Sequence, residues 1–335
     1  MRMVSSWKFS LALVLVAPSA QAAAQPATTM VETLRGAGES DPAAATHDLA
    51  FKIDRHDRMT VPVRLGGRGP YRFLVDTGAD RTAVSTALAA ELGLSSGPTA
   101  RLHSITGISR VKTVNVPTLE LTDNHARSVE APLLERAHMG ADGILGVDSL
   151  RSQRVMFDFR TRLISIVPST RRNERDEKGT IVVTGKLRRG HLIVTKARAN
   201  GTGLTVVLDT GSEMTLGNAA LRAKLEARRK LGTPELIEMM SVTGQKLIGE
   251  GFYLKQLTVG DVTMRDLMIL FSDAPIFRSL NLEDRPAVLL GMNALRAFDK
   301  VSIDFARKQL RMVVPERSSL DSAVMAERRS DALSR

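Results

Sequence analysis

Two stretches of the chain carry the same order of apolar and polar positions. Residues 59–76 (MTVPVRLGGRGPYRFLVD) and 192–209 (LIVTKARANGTGLTVVLD) align without a gap. Each is a β-rich run, a glycine-containing turn and a second apolar run ending in Asp, a pattern that predicts a hairpin of two strands. The correspondence continues: DTGADRT (76–82) lies over DTGSEMT (209–215), SITG (104–107) over SVTG (241–244), GILGVDSL (143–150) over VLLGMNAL (288–295), and MFDFRTRLISIVP (156–168) over SIDFARKQLRMVVP (302–315). The offset between copies grows from 133 at the Asp residues to 146 at the last pair, so the second copy carries extra loop residues; 272–287 and 219–232 are the natural places for them. Most other segments are short and rich in Val, Ile, Leu and Thr. They predict a mostly β protein. One helix follows each Asp-Thr-Gly segment (Thr86 to Leu92, and a longer one over Ala219 to Gly232), and a short one falls at each DSL or NAL segment.

Outside the repeat the pattern is lost. Arg2 and Lys8 flank the start of an apolar run, Phe9 to Ala17, which is followed by Pro18 and Ala20-Gln21-Ala22. Charge, apolar core and small-residue site in that order predict an export signal over residues 1–22; a run of nine residues is too short to span a bilayer as a helix. Residues 23–50, rich in Ala, Thr and Pro, are expected to be a flexible leader or pro-segment. The charge run RRNERDEK (171–178) and Gly179 mark a solvated linker, 169–179, between a first domain (51–168) and a second (180–315); residues 316–335 are a polar tail. The expected location is the periplasm or the exterior.

A length of 335 residues admits two domains. Aromatics make up only 4%, so aliphatic side chains must fill the core, and the absence of Cys excludes disulfides, thiol catalysis and lipid attachment through Cys. The net charge is +11, and +9 once Arg2 and Lys8 leave with the signal. A basic exported protein can touch anionic envelope components peripherally; a solvated, Arg-enriched surface accounts for the same charge. No nucleic-acid motif is present.

The chemistry centres on Asp76 and Asp209. An apolar strand ending in Asp-Thr-Gly buries itself and delivers a carboxylate at its end. Gly78 and Gly211 let the chain turn and keep the approach clear, and the hydroxyls of Thr77 and Thr210 can brace backbone. An Asp-started turn beside a strand explains one such motif; two, inside a longer repeat, point to a pair. Two carboxylates held together share one proton, so that one accepts a proton from water while the other donates to a carbonyl. Two copies related by a pseudo-twofold axis would bring the loops together.

DTGADRT closely resembles the active-site segment of retropepsins, and DTGSEMT is similar to both retropepsin and pepsin segments. ILGVDSL and LLGMNAL resemble the family's second motif. With the export signal and the helical segment TALAAELGL, the chain resembles bacterial retropepsin-like aspartyl proteases over about 59–168 and 192–315, two units fused in a pepsin-like arrangement. The resemblance implies a mainly β fold: two tandem β-barrel domains related by pseudo-twofold symmetry, each with one or two short helices, and a cleft between them. It implies Asp76 and Asp209 as the catalytic pair, with Thr77 and Thr210 interlocked beneath. It implies flaps around Thr106-Gly107 and Thr243-Gly244, and Gly146 and Gly291 packed behind the loops. The implied activity is aspartic endopeptidase on peptide or protein substrates, in a monomer, with no metal or other cofactor. Two departures stand out. The family's Arg after the second-motif Gly, partner of an acid four residues beyond the catalytic Asp, is replaced by Val147 and Met292, which leaves Asp80 and Glu213 without assigned partners. No flap tyrosine of the pepsin kind lies near Gly107 or Gly244; Tyr253 lies beyond the second flap.

Other candidates are weaker. The six histidines (47, 56, 103, 125, 138, 191) include no i, i+4 pair for zinc, and His103, near the first flap, is expected to be a solvated loop residue. GGRG (66–69) lacks the Lys-Ser/Thr of a phosphate loop and fits a hairpin turn. The rival functions are a non-catalytic envelope- or peptide-binding protein that kept the fold, and glycoside hydrolysis by two carboxylates; the twin loops argue against the latter.

Overall fold

A computed structural model describes residues 60–121, 124–170 and 176–315, with short backbone segments at 8–10, 14–16, 30–33 and 49–50. Most of the expected export signal and leader, the centre of the linker (171–175) and the tail (316–335) lie outside the described residues.

Each copy of the repeat opens with the predicted hairpin. Thr60–Leu65 pairs antiparallel with Arg68–Val75 around Gly66 and Gly67, whose φ angles of 57° and 75° glycine adopts freely. His191–Ala199 pairs in the same way with Thr202–Leu208 around Asn200 and Gly201. Arg68–Val75 starts exposed and is buried over its last three residues, so the chain enters the core as it approaches Asp76. The second-motif strand then lies parallel on its other side: Gly143–Leu145 beside Phe73 to Val75, and Ala287–Leu290 beside Thr205 to Leu208 in the second copy. A strand with neighbours on both edges and cover on both faces reads as an unbroken apolar run, which is why FLV and VVL precede the two Asp residues.

The helices are short. Thr86–Leu92 is capped by Ser85, whose hydroxyl accepts from the Leu88 N–H, and stops at Gly93 in the left-handed region. Ala219–Ala227 starts on the Asn218 side chain and ends before the predicted Gly232, because Arg229 takes a φ of 51° and the Lys230 N–H folds back onto the Leu225 carbonyl. Val147–Leu150 and Met292–Leu295 fall at the second motifs. Two more, Arg136–Met139 and Pro275–Ser279, were not legible in the sequence, so among the described residues each copy has three short helices where one or two were expected. The second of them lies in the 272–287 segment, started by Pro275 in its first turn.

One sheet belongs to both copies. Its order is Thr180–Thr184, Gln309–Val313, Lys300–Asp304, Gln153–Asp158, Leu163–Pro168, with Leu49–Ala50 at the edge. Gln153–Asp158 and Lys300–Asp304 occupy equivalent places in the repeat and pair antiparallel, with Met156 opposite Ser302, its own counterpart at the offset of 146. The local twofold axis therefore passes between these residues. Phe157, Val155, Val301 and Ile303 carry a common apolar core across it. Among the described residues, no helix is long and apolar enough to cross a membrane.

Candidate active site

The two Asp residues extend their strands by one more ladder bond: the Asp76 N–H donates to the Leu145 carbonyl (3.0 Å) and the Asp209 N–H to that of Leu290 (3.1 Å). Each loop then turns back on its own carboxylate. Gly78 N–H donates to Asp76 Oδ1 at 2.8 Å, and Gly211 N–H to Asp209 Oδ1 at 3.1 Å. The loops are pressed together so closely that a Cβ on Gly78 would lie 2.4 Å from Asp209 Oδ1, and one on Gly211 2.1 Å from Asp76 Cγ. The two carboxylates thus meet across the pseudo-twofold axis. Both are fully buried, and the Oδ2 of each has no hydrogen-bond partner among the described residues.

Beneath them the threonines interlock. Thr77 Oγ1 donates to the Leu208 carbonyl (2.9 Å) and accepts from the Thr210 N–H (3.1 Å); Thr210 Oγ1 donates to the Val75 carbonyl (2.8 Å) and accepts from the Thr77 N–H (3.1 Å). Four hydrogen bonds in a buried place hold the two loops in register. Thr77→Val would leave the Leu208 carbonyl and the Thr210 N–H unpaired, and is expected to cost about 3 kcal/mol. Thr77→Ser keeps the hydroxyl and should cost far less. Urea unfolding of the two variants checks the difference.

Burial dominates the electrostatics. It raises the Asp76 carboxyl from 3.8 to about 6, against the pull of the Gly78 N–H, His191 and the Ala79 N–H. It raises Asp209 well above 3.8, and there the charge of Asp76 adds to the shift. The pair therefore keeps a proton well above the ordinary carboxylate range.

The second motifs brace the loops from behind. A Cβ on Gly146 would strike the Arg81 backbone at 2.4 Å, and one on Gly291 the Met214 carbonyl oxygen at the same distance. The residue two beyond each glycine, which sequence reasoning did not single out, grips the loop. Asp148 Oδ1 accepts from both the N–H and the hydroxyl of Thr82 at 2.9 Å, and Asn293 Oδ1 from those of Thr215 at 2.9 and 2.8 Å. The acids left without partners are also paired. Glu213 binds the Arg296 guanidinium at 2.8 Å, and Asp80 lies 2.6 Å from His191 Nε2. Val147 and Met292, standing at the expected Arg positions, are buried in the core instead.

The two turns expected as flaps cross over. Ile105, between Ser104 and Thr106, is buried among Ile193, Val207 and Leu216 of the second copy. Val242, between Ser241 and Thr243, is buried among Leu74, Ala79 and Ile144 of the first. Thr106 and Thr243 brace the turns through hydroxyl contacts with Ser104 (2.9 Å) and Ser241 (2.7 Å). Gly107 and Gly244 have φ of 135° and 79°; Gly244 sits against the His138 ring, whereas Gly107 has open space around it. His103 is not a loop residue: it lies half-buried in the Ala100–Ser104 strand, opposite Ile108 of the first flap hairpin. Val242→Ala removes two methyl groups from a filled place and is expected to cost about 1–3 kcal/mol. Hydrogen exchange over 235–251 should speed up in the variant while exchange in the shared sheet keeps its rate. No group of three or more His, Cys, Asp or Glu suited to a metal ion occurs among the described residues.

A duplicated β fold that seats an Asp-Thr-Gly loop from each copy against the other defines the retropepsin-like class. The chain belongs to the aspartyl protease family: the family's sequence model matches residues 61–149 and 195–294, once in each copy. Among solved structures, a retropepsin-like aspartic protease from Rickettsia conorii is similar at 19% identity, covering 40% of this chain and 89% of that one with a TM-score of 0.27. No curated protein matches the chain.

Proposed function

We propose that the protein is an aspartic endopeptidase that hydrolyses peptide bonds with a water held between Asp76 and Asp209. The observation that carries this reading is the mutual burial of two carboxylates whose Oδ2 atoms have no other partner. Ionised Asp76 takes the water's proton as it attacks the scissile carbonyl, and protonated Asp209 donates to the carbonyl oxygen. As the C–N bond breaks, Asp76 gives its proton to the leaving amine nitrogen and Asp209 takes one back from a hydroxyl of the tetrahedral intermediate, which leaves as the carboxylic acid and restores both carboxyls.

The substrate is an extended peptide. The edges of the flap strands are open to strand addition, and the chain itself uses them: Lys8–Ser10 adds in parallel to Ala100–Ser104, and Val14–Val16 antiparallel to Glu235–Ser241. Removal of residues 1–22 on export would free both edges for substrate, which would bind by main-chain hydrogen bonds to the flaps. Both Asp residues lie on one chain, so a monomer is sufficient. We place the mature protein in the periplasm or outside the cell, where its positive charge favours peripheral contact with anionic envelope material.

The non-catalytic reading drew support from the missing family Arg pair. That support weakens, since His191 and Arg296 now hold Asp80 and Glu213. The test is cleavage of a peptide library by the purified mature chain, with and without a pepstatin-type inhibitor, beside Asp76→Asn. Equal cleavage by wild type and variant would end the proposal.

A further inference from the structure

One buried imidazole ties the first Asp-Thr-Gly loop to the second half of the molecule. His191 opens the His191–Ala199 strand and is 0% exposed. Its Nδ1 lies 2.9 Å from the Thr77 carbonyl oxygen and its Nε2 2.6 Å from Asp80 Oδ1. A carbonyl oxygen only accepts, so Nδ1 carries a hydrogen. The short Nε2–Oδ1 contact then holds one proton between ring and carboxylate, whichever of the two it is formally assigned to.

The Thr77 carbonyl belongs to the same peptide group as the Gly78 N–H, and that N–H donates to Asp76 Oδ1 at 2.8 Å. Asp80, His191, the 77–78 peptide and Asp76 therefore form one chain of hydrogen bonds. In an interior of low dielectric each link polarises the next. The second loop differs: Gly211 N–H lies 3.1 Å from Asp209 Oδ1. The repeat position matching His191 is Arg58, outside the described residues.

We infer that His191 is a positioning residue for Asp76: with Asp80 it fixes the Thr77–Gly78 peptide against the carboxylate and so makes Asp76 the member of the pair that ionises, leaving the shared proton on Asp209. The inference rests on the peptidase reading for its kinetic consequences, but not for its structural ones. The charged groups that face the ring are Asp80, bonded to it, and Asp76, whose carboxyl feels its charge, with Arg188 opposite His191 in the strand pair and Arg151 beside the preceding Gly190. The arginine side chains are cations that cannot accept a proton from the ring.

The test uses the full mature chain, with His191→Gln and His191→Phe compared with wild type. Gln can still donate to the Thr77 carbonyl but cannot hold the proton shared with Asp80; Phe can do neither. Two readouts are taken: the pH profile of kcat and KM on a cleaved peptide, and the carboxyl titration of Asp76 and Asp209 by carbon-13 NMR. The expected result is an Asp76 titration moved to higher pH, less in Gln than in Phe, with an acid limb of kcat that moves the same way. We expect kcat to fall about tenfold or more, as for a lost proton-transfer alignment, with KM within about twofold. Should the Phe variant fail to fold, the Gln variant carries the test alone. A folded Gln variant whose Asp76 titration and acid limb match wild type would overturn the inference. A wild type that cleaves nothing, with the Asp76 titration still moved in the variants, would end the peptidase reading and leave the positioning role standing.

Discussion

Asp209→Asn is expected to abolish peptide cleavage and, at neutral pH, to make the protein more resistant to urea than the wild type. The two effects have one origin. Burial, and then the charge of Asp76, hold the Asp209 carboxyl well above its ordinary range; burial carries Asp76 to about 6. A carboxyl whose folded value exceeds its unfolded value binds more protons in the folded state. Stability is then greatest at low pH and falls as the pH rises through the folded values. The move of Asp76 alone, from 3.8 to about 6, corresponds to about 3 kcal/mol of lost stability at pH 7. An amide at position 209 ionises in neither the folded nor the unfolded chain, so the variant is spared the proton uptake that folding imposes on Asp209 at neutral pH, while the shape of the side chain is kept. The gain should be about 1–3 kcal/mol at pH 7 and should vanish near pH 4, where the wild-type pair is already protonated. On the proposed mechanism activity moves the other way, by about a thousandfold or more, because an amide cannot give up the proton that the scissile carbonyl would take from Asp209. Urea melts across pH 4 to 8 and a peptide assay test the two halves together. A variant that cleaves like wild type contradicts the assignment of the acid, and a stability gain of equal size at every pH contradicts its electrostatic origin.

The sequence disclosed what is local. Both hairpins, the ends of the central strands and the two Asp-Thr-Gly turns were legible because strand periodicity, glycine turns and the gapless overlay of 59–76 on 192–209 all lie within short windows. It was silent on pairings made at a distance. Asp80 meets His191 across 111 positions and Glu213 meets Arg296 across 83, and no periodic pattern announces either. His191 reads as one scattered histidine until the fold sets it under Thr77. Period-two alternation says which face of Gln153–Asp158 is buried but not that its partner is Lys300–Asp304 of the other copy. The crossed flap anchors were hidden for a similar reason. Ile105 and Val242 are single apolar residues in polar turns, and only the tertiary fold shows that each is buried in the opposite half. The loop grip of Asp148 and Asn293 was closer to legible: both stand at one repeat position, and each accepts from the last Thr of its own loop.

The other large effect is steric. Gly211→Ala is expected to eliminate activity and to cost at least about 3 kcal/mol of stability. Gly211 has no left-handed backbone to explain its choice; the constraint is space, since the added methyl would lie 2.1 Å from Asp76 Cγ and 2.3 Å from both its oxygens. Separating the loops to make room would stretch the four hydrogen bonds between Thr77 and Thr210 and the backbone of the opposite loop. Turning the Asp76 side chain away would break its bond with the Gly78 N–H. Gly203→Ala is the control. It lies exposed in the Thr202–Leu208 strand with nothing within 4 Å of a Cβ, so the same substitution should be neutral or slightly stabilising. Pairing Gly211→Ala with Asp76→Ala separates packing from chemistry, because the second change removes the three atoms that the methyl strikes. The double variant should regain most of the lost stability in urea unfolding and none of the cleavage. If Gly211→Ala alone unfolds like wild type and still cleaves, the two loops are not in the contact described, and the carboxylates do not share one site.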